Sequence, residues 1–193
     1  MSFYKINMTH ICKFILWALG WKVIGGIVPE PKGIVLGVPH TSLWDFVISW
    51  IYYTSVGGKA SILVKKKFFF WPASYLLNYM GAIPVDDSRG ASLVKQIITE
   101  FNNRKVLHLA IAPEGTRKPT TKWKAGFHTI ARAADVPVYY GLFDWGHKRI
   151  GFADKIELTD DVNADIRRIK QWYKTSGIVG KHPERFILGD GLD

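Results

Sequence analysis

Apolar residues along this chain follow two alternating spacings, one typical of helices and one of buried strands. Leu93, Ile97 and Phe101 recur at helical intervals, as do Ile166, Ile169 and Tyr173, which predicts helices over residues 92–102 and 163–174. Residues 106–112 form instead a near-continuous apolar run, the pattern of a strand covered on both faces. The same reading predicts a first helix over residues 1–20. Strands follow at 21–28 and 33–38, separated by the Pro29–Gly33 turn, then a helix over 41–53 and a short strand at 60–64. A helix over 71–80 tolerates Pro72 in its first turn. A strand at 82–85, a helix over 126–134 and strands at 136–143 and 149–152 complete the set, and the Gly-rich stretch 176–193 is assigned no element. Helix and strand alternate, with no internal repeat and no long linker. The expectation is therefore one α/β domain over residues 1–193, with a central, mostly parallel sheet flanked by helices.

Composition narrows the class of partner. Lysine and arginine number 26 against 16 aspartates and glutamates, a formal charge of +10, so the surface attracts anions: nucleic acid, anionic lipid or an acidic carrier. Zinc-finger spacing, an aromatic RNA-binding pattern and a basic heptad helix are all missing, so no nucleic-acid partner is expected. A lone cysteine, Cys12, forms no intrachain disulfide and leaves no Cys-rich metal site. Eight tryptophans are many for 193 residues; they suit either a Trp-rich core or contact with a lipid–water interface.

The N-terminal stretch sharpens that choice. Residues 11–28 are strongly apolar, but Lys13, Lys22 and Gly25-Gly26 interrupt them, and the uncharged run 14–21 is far short of the roughly 20 residues that span a bilayer. An amphipathic helix lying in the membrane interface fits this pattern, as does a helix packed on the protein's own core. Three lysines followed by four aromatics at 65–71 offer a second contact for anionic lipid, or a charged strand end before a core helix.

Candidate chemistry gathers where strands give way to loops. His40 ends one strand and Asp45 follows five residues later, in the first turn of the next helix. If the chain folds back there, the carboxylate fixes the imidazole tautomer while the other ring nitrogen takes a proton. Ser42-x-x-Asp45 is equally a capping box. After the 106–112 strand, Glu114, Gly115, Thr116 and Arg117 form a loop able to hold a phosphate, or a solvated turn. Asp86, Asp87 and Arg89 leave another short strand, and Lys124 stands just before a helix start at Gly126. No Gly-x-Ser-x-Gly elbow, Walker loop, dinucleotide fingerprint or His-Glu-x-x-His is present, and neither a metal nor a resident cofactor is expected.

In this order the segments resemble the glycerophospholipid acyltransferase (PlsC-like) family: His40-Thr41-Ser42-Leu43-Trp44-Asp45, then Gly81-Ala82-Ile83-Pro84-Val85-Asp86, then Pro113-Glu114-Gly115-Thr116-Arg117, Lys124-x-Gly126 and Val136-Pro137-Val138. The resemblance covers the core at roughly residues 33–145. It implies that His40 acts as general base, oriented by Asp45, on a hydroxyl of a lysophospholipid that attacks the thioester of acyl-CoA or acyl carrier protein. No acyl-enzyme forms, so no Ser or Cys nucleophile is needed. Glu114, Gly115, Thr116 and Arg117, with Arg89 and Lys124, would bind the acceptor phosphate, 1-acyl-sn-glycerol-3-phosphate being the implied acceptor and phosphatidic acid the product. Another lysolipid or an amino-lipid is the alternative acceptor, and a non-catalytic lipid- or carrier-binding protein the alternative class. Two departures bear on the headgroup: Asp87 stands where the family usually has Arg, and Ala112 where Phe is common. The expected location is the cytoplasmic face of an anionic membrane, peripheral or monotopic.

Overall fold

A computed structural model of the chain describes residues 2–86 and 90–189. Its elements run α1 (Ser2–Ala18), β1 (Lys22–Ile24), β2 (Lys32–Leu36), α2 (Trp44–Ser55), β3 (Ala60–Lys65), α3 (Ala73–Tyr79), β4 (Ala82–Val85), α4 (Gly90–Asn103), β5 (Leu107–Ile111), α5 (Gly126–Ala134), β6 (Val138–Asp144), β7 (Arg149–Ile156) and α6 (Val162–Thr175). The strands form one seven-stranded sheet in the order β1-β7-β6-β2-β5-β3-β4. β6, β2, β5, β3 and β4 run parallel; β7 turns back antiparallel to β6 and carries β1 alongside it. The predicted α/β architecture is thus observed. The first strand is shorter than expected, because Gly25 takes φ +70° directly after Ile24 and ends the pairing. The second arm of the hairpin is longer, reaching Ile156 against β6.

Strand alternation divides the core into two layers. Ile34, Leu36, Val138, Tyr140 and Leu142 face a cluster with Ile97 and Phe101 of α4, Phe127 and Ile130 of α5, and Ile166, Ile169 and Tyr173 of α6. Val35, Tyr139, Phe143 and Phe152 face the other way, onto Leu16 of α1 and Ile48, Tyr52 and Tyr53 of α2. Burial of these side chains, worth about 1.5–3 kcal/mol each, holds helices on both faces of the sheet. Asp161 starts α6 by accepting the backbone N–H groups of Asn163 and Ala164, which fixes where that amphipathic helix begins.

The centre of the sheet is close-packed to the backbone. A methyl group on Gly141 would lie 2.0 Å from the Leu36 carbonyl oxygen, so only glycine lets β6 pass β2 at this spacing. Gly141→Ala is expected to lower stability by about 2–3 kcal/mol. Gly26→Ala, where an added Cβ meets nothing within 4 Å, should stay within about 0.5 kcal/mol of wild type. Urea midpoints of the two variants test the difference.

Candidate active site

β2, β5 and β6 are neighbours at the middle of the sheet and point the same way, so the loops leaving their C-terminal ends emerge side by side. The Gly37 amide donates to the Ile111 carbonyl, and the Phe143 amide to that of Val38. Two loops singled out from sequence are thereby adjacent, although about 70 residues separate them along the chain.

His40 and Asp45 meet across the start of α2. Asp45 is fully buried, and its Oδ2 accepts the backbone N–H groups of Thr41 and Ser42 at 2.8 Å each. His40 Nδ1 lies 3.3 Å from the same oxygen. The carboxylate oxygen that receives the loop amides thus also faces the imidazole, while Ser42 Oγ accepts the Trp44 amide rather than that of Asp45. The second oxygen, Oδ1, accepts the indole N–H of Trp145 at 2.7 Å. His40 is 26% exposed, and its Nε2 meets no hydrogen-bond partner among the described residues. One ring nitrogen thus faces the buried carboxylate and the other is free to exchange a proton with a bound molecule.

Glu114 is buried beside this pair, and its Oε2 accepts the backbone N–H of His40 at 2.8 Å. Burial pushes its carboxyl up to about 8; the His40 amide opposes the shift and the Asp45 charge adds to it. At neutral pH Glu114 is therefore largely protonated, and it braces the His40 loop. Gly115 takes φ +63°, and an added Cβ there would lie 2.7 Å from Lys124 Cε, so the Lys124 side chain crosses directly over the glycine. The Lys124 amide donates to the Pro113 carbonyl at 2.7 Å, closing the loop on itself. Arg117 is exposed at the loop's outer edge, and Thr116 spends its hydroxyl on the Lys118 amide. Farther along, the fully buried Lys170 of α6 donates to the Thr121 carbonyl and anchors this stretch to the core. Arg89 and Asp87 lie outside the described residues. β4, which leads to them, is separated from β5 by β3.

Sequence reasoning missed two contributors. Trp145 follows β6 in a polar turn, where nothing in the local pattern marks it. The stretch after α6, assigned no element, returns across the site: the His182 amide donates to Thr41 Oγ1, Arg185 to the Thr41 carbonyl, and the Trp145 amide to the Val179 carbonyl. Gly180 passes so close that an added Cβ would meet Thr41 and Pro39 at 3.0–3.1 Å.

The arrangement defines an α/β protein with a His–carboxylate pair in a loop at the C-terminal edge of its sheet, next to a cationic loop. A family model described as Acyltransferase matches residues 22–139, more than half of the chain, and the chain belongs to that family. The solved structures include one of similar fold, the crystal structure of the 1-acyl-sn-glycerophosphate (LPA) acyltransferase PlsC from Thermotoga maritima. Its TM-score is 0.58 at 16% identity, over 89% of this chain and 77% of that one. Comparison with curated proteins gives no match.

The Glu114 carboxyl makes stability depend on pH. Its folded pKa of about 8 lies above the usual 4.5, so between these values the folded state binds the extra proton. Its contribution is therefore intact below about 4.5 and is lost as pH rises through about 8. Glu114→Gln removes this dependence. Its urea midpoint relative to wild type should be flat below pH 4.5, rise in the variant's favour up to about pH 8, and then level off.

Proposed function

We propose that this acyltransferase moves a fatty acyl group from the thioester of acyl-CoA or acyl carrier protein to a hydroxyl of a lysophospholipid, with 1-acyl-sn-glycerol-3-phosphate as acceptor and phosphatidic acid as product. The observation that carries the proposal is the His40 ring, with Nδ1 against buried Asp45 and Nε2 unpartnered. Nε2 takes the hydroxyl proton as the oxygen attacks the thioester carbonyl. Asp45 stabilises the imidazolium that forms. The tetrahedral intermediate collapses, the C–S bond breaks, and the departing thiolate receives the proton from His40. Acceptor and leaving group thus exchange one proton through one base, and no side-chain nucleophile is consumed.

Charge in the second loop suits the acceptor phosphate. Arg117 and Lys124 supply cations, Gly115 and Thr116 the close backbone, and Arg89 is assigned to the same headgroup. Glu114, protonated at neutral pH and bonded to the His40 amide, supports the loop without repelling an anion. A lysophospholipid resides in a membrane, and the protein offers a surface for one. α1 buries Cys12 and Leu16 but exposes Ile11, Phe14 and Trp17, the last at 74%. Around α3 the exposed apolar side chains include Phe68, Phe70, Trp71 (78%), Tyr75, Leu76 and Tyr79, next to the exposed Lys65, Lys66 and Lys67. α1 packs on α2, and Trp50 of α2 meets Tyr79 of α3 at 6.0 Å, so the two apolar regions flank one helix. No helix among the described residues is long and apolar enough to cross a membrane. The proposed location is the cytoplasmic face of an anionic membrane, held peripherally by aromatic side chains and lysines.

Purified protein given lysophosphatidate and labelled acyl-CoA or acyl carrier protein should form the diacyl product. His40→Ala should lower kcat by about 10² to 10⁴, and Arg117→Ala should raise KM for lysophosphatidate with little change in kcat. Full activity in His40→Ala removes the mechanism. Product with a neutral lysolipid but not with lysophosphatidate moves the acceptor to that lipid. Flotation with phosphatidylglycerol vesicles tests the surface: binding should weaken with salt, and the pair Trp17→Ser and Trp71→Ser should weaken it at least about tenfold. Unchanged binding in the double variant would remove these residues from the contact.

A further inference from the structure

Asp45 does not hold its position alone. Its Oδ1 takes the Trp145 indole N–H at 2.7 Å, and Trp145 is itself gripped from three sides. The Trp21 ring, just after α1, meets it edge-on at 4.9 Å between centroids. The Lys181 ammonium stands 4.2 Å above the ring centroid, and the Trp145 backbone N–H donates to the Val179 carbonyl. The turn that carries Trp145 is fixed by Asp144, which is fully buried and accepts from Arg149, from the His147 amide and ring, and from the Val179 amide. Burial alone would push that carboxyl up, but these donors outweigh it and hold it below the usual carboxylate range.

Trp145, Asp144 and the 178–185 stretch all lie beyond residue 139, where the family match ends. We infer that Trp145 is a positioning residue of the His40–Asp45 pair: its indole N–H fixes the Asp45 carboxylate so that Oδ2 presents itself to His40 Nδ1, and the stretch after α6 holds the indole in place. Without that donor, the buried Oδ1 has no partner left among the described residues, and the carboxylate rotates to share its loop amides between both oxygens. The imidazole then loses the fixed acceptor that keeps its proton on Nδ1 and leaves Nε2 free. The inference rests on the acyl-transfer reading for its consequence in rate, though not for its geometry.

Trp145→Phe keeps an aromatic ring against Trp21 and Lys181 and removes only the donor. In the acylation assay kcat should fall on the order of tenfold with KM within about twofold. On an Asp45→Ala background the same change should have no further effect, since its route runs through the carboxylate. An arm independent of activity follows the imidazole nitrogens by ¹⁵N NMR, with the His40 signal assigned by its loss in His40→Ala. Wild type should show His40 with the proton on Nδ1, and Trp145→Phe a mixture of tautomers. If Trp145→Phe lowers Tm by more than about 5 °C, the benzothiophene analogue of tryptophan at position 145, with sulfur in place of N–H, replaces it in both arms. An unchanged kcat, an equal loss on the Asp45→Ala background, or an unchanged tautomer would each overturn the assignment. If wild type acylates none of the lipids offered, the function is wrong while the tautomer measurement still decides the role of Trp145.

Discussion

A carboxylate with no exposure to water must draw its donors from the protein, and Asp45 is such a group. Its donors come from separate stretches of chain: the Thr41 and Ser42 amides just ahead of α2, the Trp145 indole beyond β6, and the His40 ring at the end of β2. To bring them to one point, the chain must place β2 beside β6 and end both at the same level. The glycine crossing at Gly141, the antiparallel return of β7 and the anchoring of the turn by Asp144 all serve that placement. The site is an outcome of how the sheet is ordered.

The same ordering puts β5 on the other side of β2, and with it Glu114 under the His40 amide. The two motif loops are therefore linked by a hydrogen bond from the backbone of one to the side chain of the other. Glu114 is buried by the loops that it joins, which raises its pKa and leaves it largely neutral at neutral pH. Two acidic side chains in one small region divide their roles by environment: one is ringed by donors, and the other has a single amide.

Aromatic residues divide in a comparable way. The tryptophans suit either a core or a lipid interface, and the structure buries some and exposes others. Trp21 and Trp123 are buried, Trp145 is half-buried with its donor turned to Asp45, and Trp17, Trp44 and Trp71 are exposed. α1 likewise was open to packing on the core or lying in the interface. It does the first with Cys12 and Leu16, and it leaves Ile11, Phe14 and Trp17 on its outer face.

What the amino-acid sequence determined by itself was local and periodic. Apolar spacing marked nearly every helix and strand, and the alternation implied a mostly parallel sheet. The His40-x4-Asp45 and Pro113–Arg117 segments were legible because each follows an apolar run and carries groups that a plain connection does not require. Helical and strand periods are properties of neighbouring residues, so they can be read without the fold. Only the tertiary structure decided that Glu114 holds the His40 backbone, that Trp145 holds Asp45, and that the glycine-rich end of the chain crosses back over Thr41. These contacts join residues 74, 100 and 141 positions apart. Their partners are chosen by strand order and by which loops share an edge, and no local pattern of polarity encodes that.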